Sequence, residues 1–123
     1  MRSLLVLGLL STLGVGASAQ TPPSVQTVIL YSFGYGPAAI RLQAGQPITL
    51  NFVNRSGGAH DFTARAFFAR SRILSGHATR GEIELRGGQS VSVTLVPARG
   101  TYPVHCGHFL HKQLGMRGTI VVT

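Results

Sequence analysis

From residue 25 onward the chain is written in short apolar or alternating runs, and turn residues close each run before a helical period can develop. The clearest run covers residues 90–96, where Val91, Val93 and Leu95 alternate with serines and Thr94. A period of two sends neighbouring side chains to opposite faces, so such a run is a half-buried antiparallel strand. The same reading predicts strands over residues 25–32, 39–43, 48–54, 59–64, 82–85, 101–106 and 118–123. Gly- and Pro-bearing breaks separate them: FGYGP at 33–37, AGQP at 44–47, RSGG at 55–58, RGGQ at 86–89 and PARG at 97–100. Residues 65–74 fit this rhythm worst and read as a short helix with Phe67, Phe68 and Leu74 facing the core. Seven or eight short strands in a chain of this length predict an all-β Greek-key sandwich.

The first 19 residues stand apart. One arginine, an apolar run over residues 4–15 and the small residues Ala17, Ser18 and Ala19 form a secretory signal peptide. The run is shorter than the roughly 20 residues a transmembrane helix needs. The expectation is a leader over 1–19, then a single soluble domain over 20–123, exported across the inner membrane to the periplasm without stable membrane insertion. Eleven Lys and Arg face three Asp and Glu, a formal charge of +8. That excess favours protein partners with acidic docking surfaces. The basic residues are scattered, with no run and no nucleic-acid module, so nucleic acid is excluded as a partner. The expected state is a monomer.

A single cysteine, Cys106, is unusual in an exported chain, because an oxidising compartment normally keeps cysteines paired. An internal disulfide is impossible, and an unprotected thiol there invites oxidation. A bound metal would account for its retention. Five residues after Cys106 comes His111, and five further on Met116. A thiolate, an imidazole and a thioether are ligands that copper prefers over hard cations, and two histidines with one cysteine and a long axial methionine make the blue-copper arrangement. The missing histidine is best supplied by His60, at the start of a strand, since a sandwich brings loops together at one end. A buried cysteine or methionine is usually core filler; the ordered spacing is what turns Cys106 and Met116 into ligands. His105, preceding the cysteine, should point to the opposite strand face, His108 reads as a loop or surface residue, and His77 lies in the irregular segment.

The C-x4-H-x4-M spacing, followed by Gly118 and a terminal strand, resembles the metal-binding loop of the cupredoxins, the family of plastocyanin, azurin, amicyanin and pseudoazurin. The HDF context of His60 resembles theirs too. The resemblance implies His60, Cys106 and His111 as equatorial ligands of one copper ion cycling between Cu(I) and Cu(II), with Met116 as the weak axial ligand. It also implies an exported electron carrier that is not an enzyme. Plastocyanins follow the first histidine with asparagine, and here Asp61 stands in its place. Its carboxylate can still accept a backbone N–H, and its charge favours Cu(II) and lowers the potential. Phe109, Leu110 and Leu114 would form an apolar collar, with His111 as the electron port and Lys112, Arg117 and Arg55 steering an acidic partner. Other readings of the same residues are copper delivery, which extra histidines such as His77 and His108 would favour; a copper oxidase or nitrite reductase, for which there are no HxH pairs; and a colourless zinc site.

Overall fold

The computed structural model describes residues 21–108 and 114–123, together with Ser11, Leu13, Gly14 and Gly16. Apart from those four, the expected leader lies outside the described residues, as do Phe109, Leu110, His111 and Lys112. No helix among the described residues is long and apolar enough to cross a membrane.

Ten strands are described: β1 (Ser24–Tyr31), β2 (Gly34–Gly36), β3 (Ala39–Leu42), β4 (Ile48–Asn54), β5 (His60–Thr63), β6 (Arg72–Ser75), β7 (Glu82–Leu85), β8 (Ser90–Val96), β9 (Gly100–His105) and β10 (Arg117–Val122). One short helix, α1, covers Arg65–Arg70. The strands form two sheets, β2-β1-β4-β8-β6 and β3-β10-β9-β5-β7. Alternation does what the sequence requires: in β8, Val93 and Leu95 are fully buried, and in β4 Leu50 and Phe52 face the same core. Val28 and Leu30 from β1, Phe62 from β5, Leu85 from β7 and Ile120 from β10 fill the space between the sheets. Parallel pairs β1 with β4 and β3 with β10 close the sandwich, and β10 lies between β3 and β9. The link between β9 and β10 therefore opens at the end of the sandwich where β5 begins.

The all-β sandwich is as expected, but two strands exceed the expected number. Residues 34–36 were expected to break the chain. They turn back on β1 instead, with Tyr31 opposite Gly34 and Ile29 opposite Gly36. A Gly-Tyr-Gly segment carries no alternation, so its strand character comes from its partner alone. The expected helix over 65–74 is also shorter. It ends at Ser71, which takes an extended backbone and donates its hydroxyl to the Phe67 carbonyl at 2.8 Å. Phe67 and Phe68 are buried as expected, and Phe67 packs edge-on against Tyr102 at 5.5 Å. Leu74 is exposed, because residues 72–75 form β6, the outermost strand beside β8.

Candidate metal centre

Strand β5 supplies two residues to the site, one from each face. His60 and Phe62 share the core face. Phe62 is clamped by Phe52 at 4.7 Å and Tyr35 at 5.4 Å between ring centres, which leaves His60 buried at the end of the core. Asp61 points the other way. Its backbone N–H donates to Cys106 Sγ at 3.5 Å, and its carboxylate accepts the Gly107 N–H at 2.9 and 3.0 Å and the Thr63 hydroxyl at 2.7 Å. The Tyr35 hydroxyl donates to the Asp61 carbonyl at 2.6 Å. Asp61 thus ties the start of β5 to the segment that follows β9. Glycine at 107 keeps the approach open, since a Cβ there would lie 3.1 Å from Asp61 Oδ2, a tight contact.

Cys106 follows the last residue of β9 and is buried. Its N–H donates to the Met116 carbonyl at 3.1 Å, so the two ends of the 106–116 segment are pinned together, and Met116 is fully buried beside them. Burial pushes the Cys106 thiol above its ordinary range; hydrogen bonds from the backbone of Asp61 and His108 pull it down, and the negative charges of Asp61 and Glu84 push it up again. Without a cation the sulfur stays protonated. A bound metal reverses that balance by deprotonating a coordinating thiol outright. His60, Cys106 and Met116 are therefore buried where two loops of the sandwich meet, while the fourth expected ligand, His111, lies outside the described residues. Thiol, thioether and imidazole in one dry end of a β-sandwich are the donor set that copper suits.

The remaining histidines separate. His77 is exposed and borders a cavity of about 420 Å³ together with Glu82 and Glu84. His105 sits opposite Thr63 and Arg117 on the neighbouring strands. His108 is more than a loop residue: a ring nitrogen of His108, Cys106 Sγ and a carboxylate oxygen of Asp61 lie within 4.8 Å of one another. Its Nε2 is 2.8 Å from Glu84 Oε1 and 3.8 Å from Asp61 Oδ2, and its ring centre is 6.5 Å from that of His60. Asp61, Glu82 and Glu84 form a second group with the same spacing. The one sequence signal for this cluster was composition. These three residues are all the acidic groups the chain has.

The cupredoxin-like domain profile matches residues 3–122. The chain belongs to the cupredoxin-like family. A search of curated proteins by sequence finds no match. Among solved structures this cupredoxin is similar to auracyanin B, with 23% identity, 89% of this chain and 96% of that chain covered and a TM-score of 0.61. It is similar to auracyanin A, described as a "blue" copper protein from the green thermophilic photosynthetic bacterium Chloroflexus aurantiacus, with 21% identity, coverage of 81% and 100%, and a TM-score of 0.57. A multicopper oxidase from Campylobacter jejuni shares the fold at 14% identity and a TM-score of 0.62, and 89% of this chain covers 32% of that one. At these identities the likeness speaks for the fold, and the chemistry of this cupredoxin rests on its own side chains.

Proposed function

We propose that this cupredoxin is an exported blue copper protein that carries single electrons between protein partners. One copper ion is held by His60, Cys106, His111 and Met116. The observation that carries the reading is the restraint on Cys106: the Asp61 N–H reaches Sγ, Asp61 also holds the Gly107 N–H, and the Cys106 N–H is fixed to Met116. When bound, the metal supplies the change between Cu(I) and Cu(II). The protein's part is to keep the donors still through that change, since each displacement of a ligand adds to the barrier of every transfer. Strand hydrogen bonds hold His60, and the pinned loop ends hold Cys106 and Met116. The packed Phe62, Phe52 and Tyr35 keep water from the site, which with the buried setting of the sulfur governs the potential. The excess of arginine suits acidic partner surfaces, and the leader suits the periplasm.

The test is to load the protein with Cu(II) and record absorption and EPR for the wild type and Cys106→Ser. The wild type should show the intense thiolate-to-copper band and cycle reversibly, and the variant should lose the band entirely. A variant that kept the same colour would show that Cys106 is not the ligand. Copper delivery is a second reading, favoured by one observation: His108 and Asp61 offer further donors within 4.8 Å of the Cys106 sulfur. It predicts that a bound Cu(I) leaves readily to an acceptor protein, with no reversible electron exchange.

A further inference from the structure

Asp61, Glu82 and Glu84 stand together on one side of the β5–β7 pair. Asp61 lies directly opposite Glu84, and Glu82 opposite Thr63. Like charges placed opposite one another weaken a sheet. In a chain of formal charge +8 that has three carboxylates in all, gathering every one of them on this face concentrates like charge that a cation would offset. Arg65 borders the cavity that these side chains line, and His108 pairs with Glu84 at 2.8 Å and with Asp61 at 3.8 Å. Glu82 is held above the ordinary carboxylate range by burial, by the charge of Asp61 and by its hydrogen bond with Glu84.

The cluster also has depth. Its side chains line an open cavity of about 370 Å³ that Gly107 and Arg65 border as well. Moving inward, the side chain of Glu84 is 49% exposed, His108 32% and Asp61 3%. Cys106 lies behind them at 1%. The two donor groups share Asp61, so oxygen, nitrogen and sulfur donors run from solvent to the thiol with no gap wider than 4.8 Å within either group. The separation of 2.8 Å between His108 Nε2 and Glu84 Oε1 also suits two adjacent ligands of one ion, each about 2.0–2.2 Å from it.

We propose that Glu82, Glu84 and His108, with Asp61 behind them, form a capture site that draws copper ions from solvent and passes them to Cys106. The proposal rests on the copper reading above and adds the route by which the ion arrives. The chain carries a formal charge of +8, and all of its carboxylates are on this patch, so this is where a cation meets the least repulsion. Transfer inward is a ligand exchange without change of oxidation state. The bonds from Cu(II) to the Glu84 carboxylate and the His108 imidazole break as a bond to Cys106 Sγ forms. The thiol proton goes to the carboxylate the ion leaves, and from there to water.

The experiment mixes copper-free full-length protein with Cu(II) in a stopped-flow instrument and follows the rise of the thiolate-to-copper band. In E82Q/E84Q the final band should equal that of the wild type, while its rate of appearance at low salt should fall by about tenfold or more. Added salt should slow the wild type more steeply than the variant. H108Q, which leaves the carboxylates in place, should slow loading as well. Equal rates in wild type and E82Q/E84Q, with full bands in both, would overturn the capture site and leave the electron-carrier reading standing. Normal loading of H108Q would remove the imidazole from the route. A wild type that developed no band at all would overturn the copper reading itself, and the capture site with it.

Discussion

The sheet β2-β1-β4-β8-β6 contributes Val28, Leu30, Leu50, Phe52, Val93 and Leu95 to the core, and its strands contain no histidine, cysteine or acidic residue. The sheet β3-β10-β9-β5-β7 buries a comparable apolar face. Its β5, β7 and β9 strands, however, also carry His60, His105 and all three carboxylates, and Cys106 and Met116 sit just beyond β9 and just before β10. Both sheets obey the same alternation. What separates them is the outer face: in the first it carries serine, threonine and asparagine, and in the second it carries the three carboxylates, from buried Asp61 out to half-exposed Glu84, beside the 106–108 segment. One sheet is a wall, and the other is a wall with chemistry on its far side, so damage to each should be distinguishable.

The largest effect should come from Phe52→Ala in the plain sheet. Removing a fully buried ring that packs on Phe62 at 4.7 Å should cost about 3–5 kcal/mol in urea or thermal unfolding. The copper band per folded molecule should keep its intensity, because Phe52 acts on the site only by packing on Phe62. A shifted band in the folded fraction would mean that the two sheets are not separable in function.

Substitution of Asp61 probes the opposite side. Asp61→Ala leaves the Gly107 N–H and the Thr63 hydroxyl without their acceptor, and should cost about 1–3 kcal/mol. Asp61→Asn keeps an acceptor oxygen and removes the charge, so it should cost less and raise the copper potential in voltammetry. An unchanged potential would show that the charge of Asp61 does not reach the metal.

Tyr35→Phe should have the smallest effect at neutral pH, about 0.5–1.5 kcal/mol for one hydrogen bond to the Asp61 carbonyl. Its pH dependence is the sharper measurement. Burial raises the Tyr35 hydroxyl far above 10.0, with the charges of Cys106 and Asp61 adding to the rise. The folded protein therefore keeps a proton that the unfolded chain releases, and the stabilisation is complete below pH 10 and lost as pH rises beyond it. Wild-type stability should fall relative to Tyr35→Phe by up to about 1.4 kcal/mol per pH unit above that point. Parallel curves for the two proteins would show that Tyr35 titrates freely.

Much of this molecule was legible along the chain. The strands of β4, β8 and β9 announce themselves because burial on one face imposes a period of two on the residues themselves. Cys106, His111 and Met116 could be singled out because one loop carries them in order, and their donor chemistry is a property of residue type. Residues without a pattern of their own were misplaced: Gly34–Gly36 is a strand only because β1 is beside it, and residues 72–75 are a strand only because β8 offers an edge. Leu74 looked like core and is exposed for the same reason.

The sequence allowed Asp61 to accept a backbone N–H, but that the donor is Gly107, and that Asp61, Glu84 and His108 meet, belong to tertiary structure alone. Those three residues are far apart in sequence, and strand register together with the path of one loop brings them within a few ångströms. Alternation says which face a side chain takes. Only the pairing of β5 with β7 and with the end of β9 decides what that face meets.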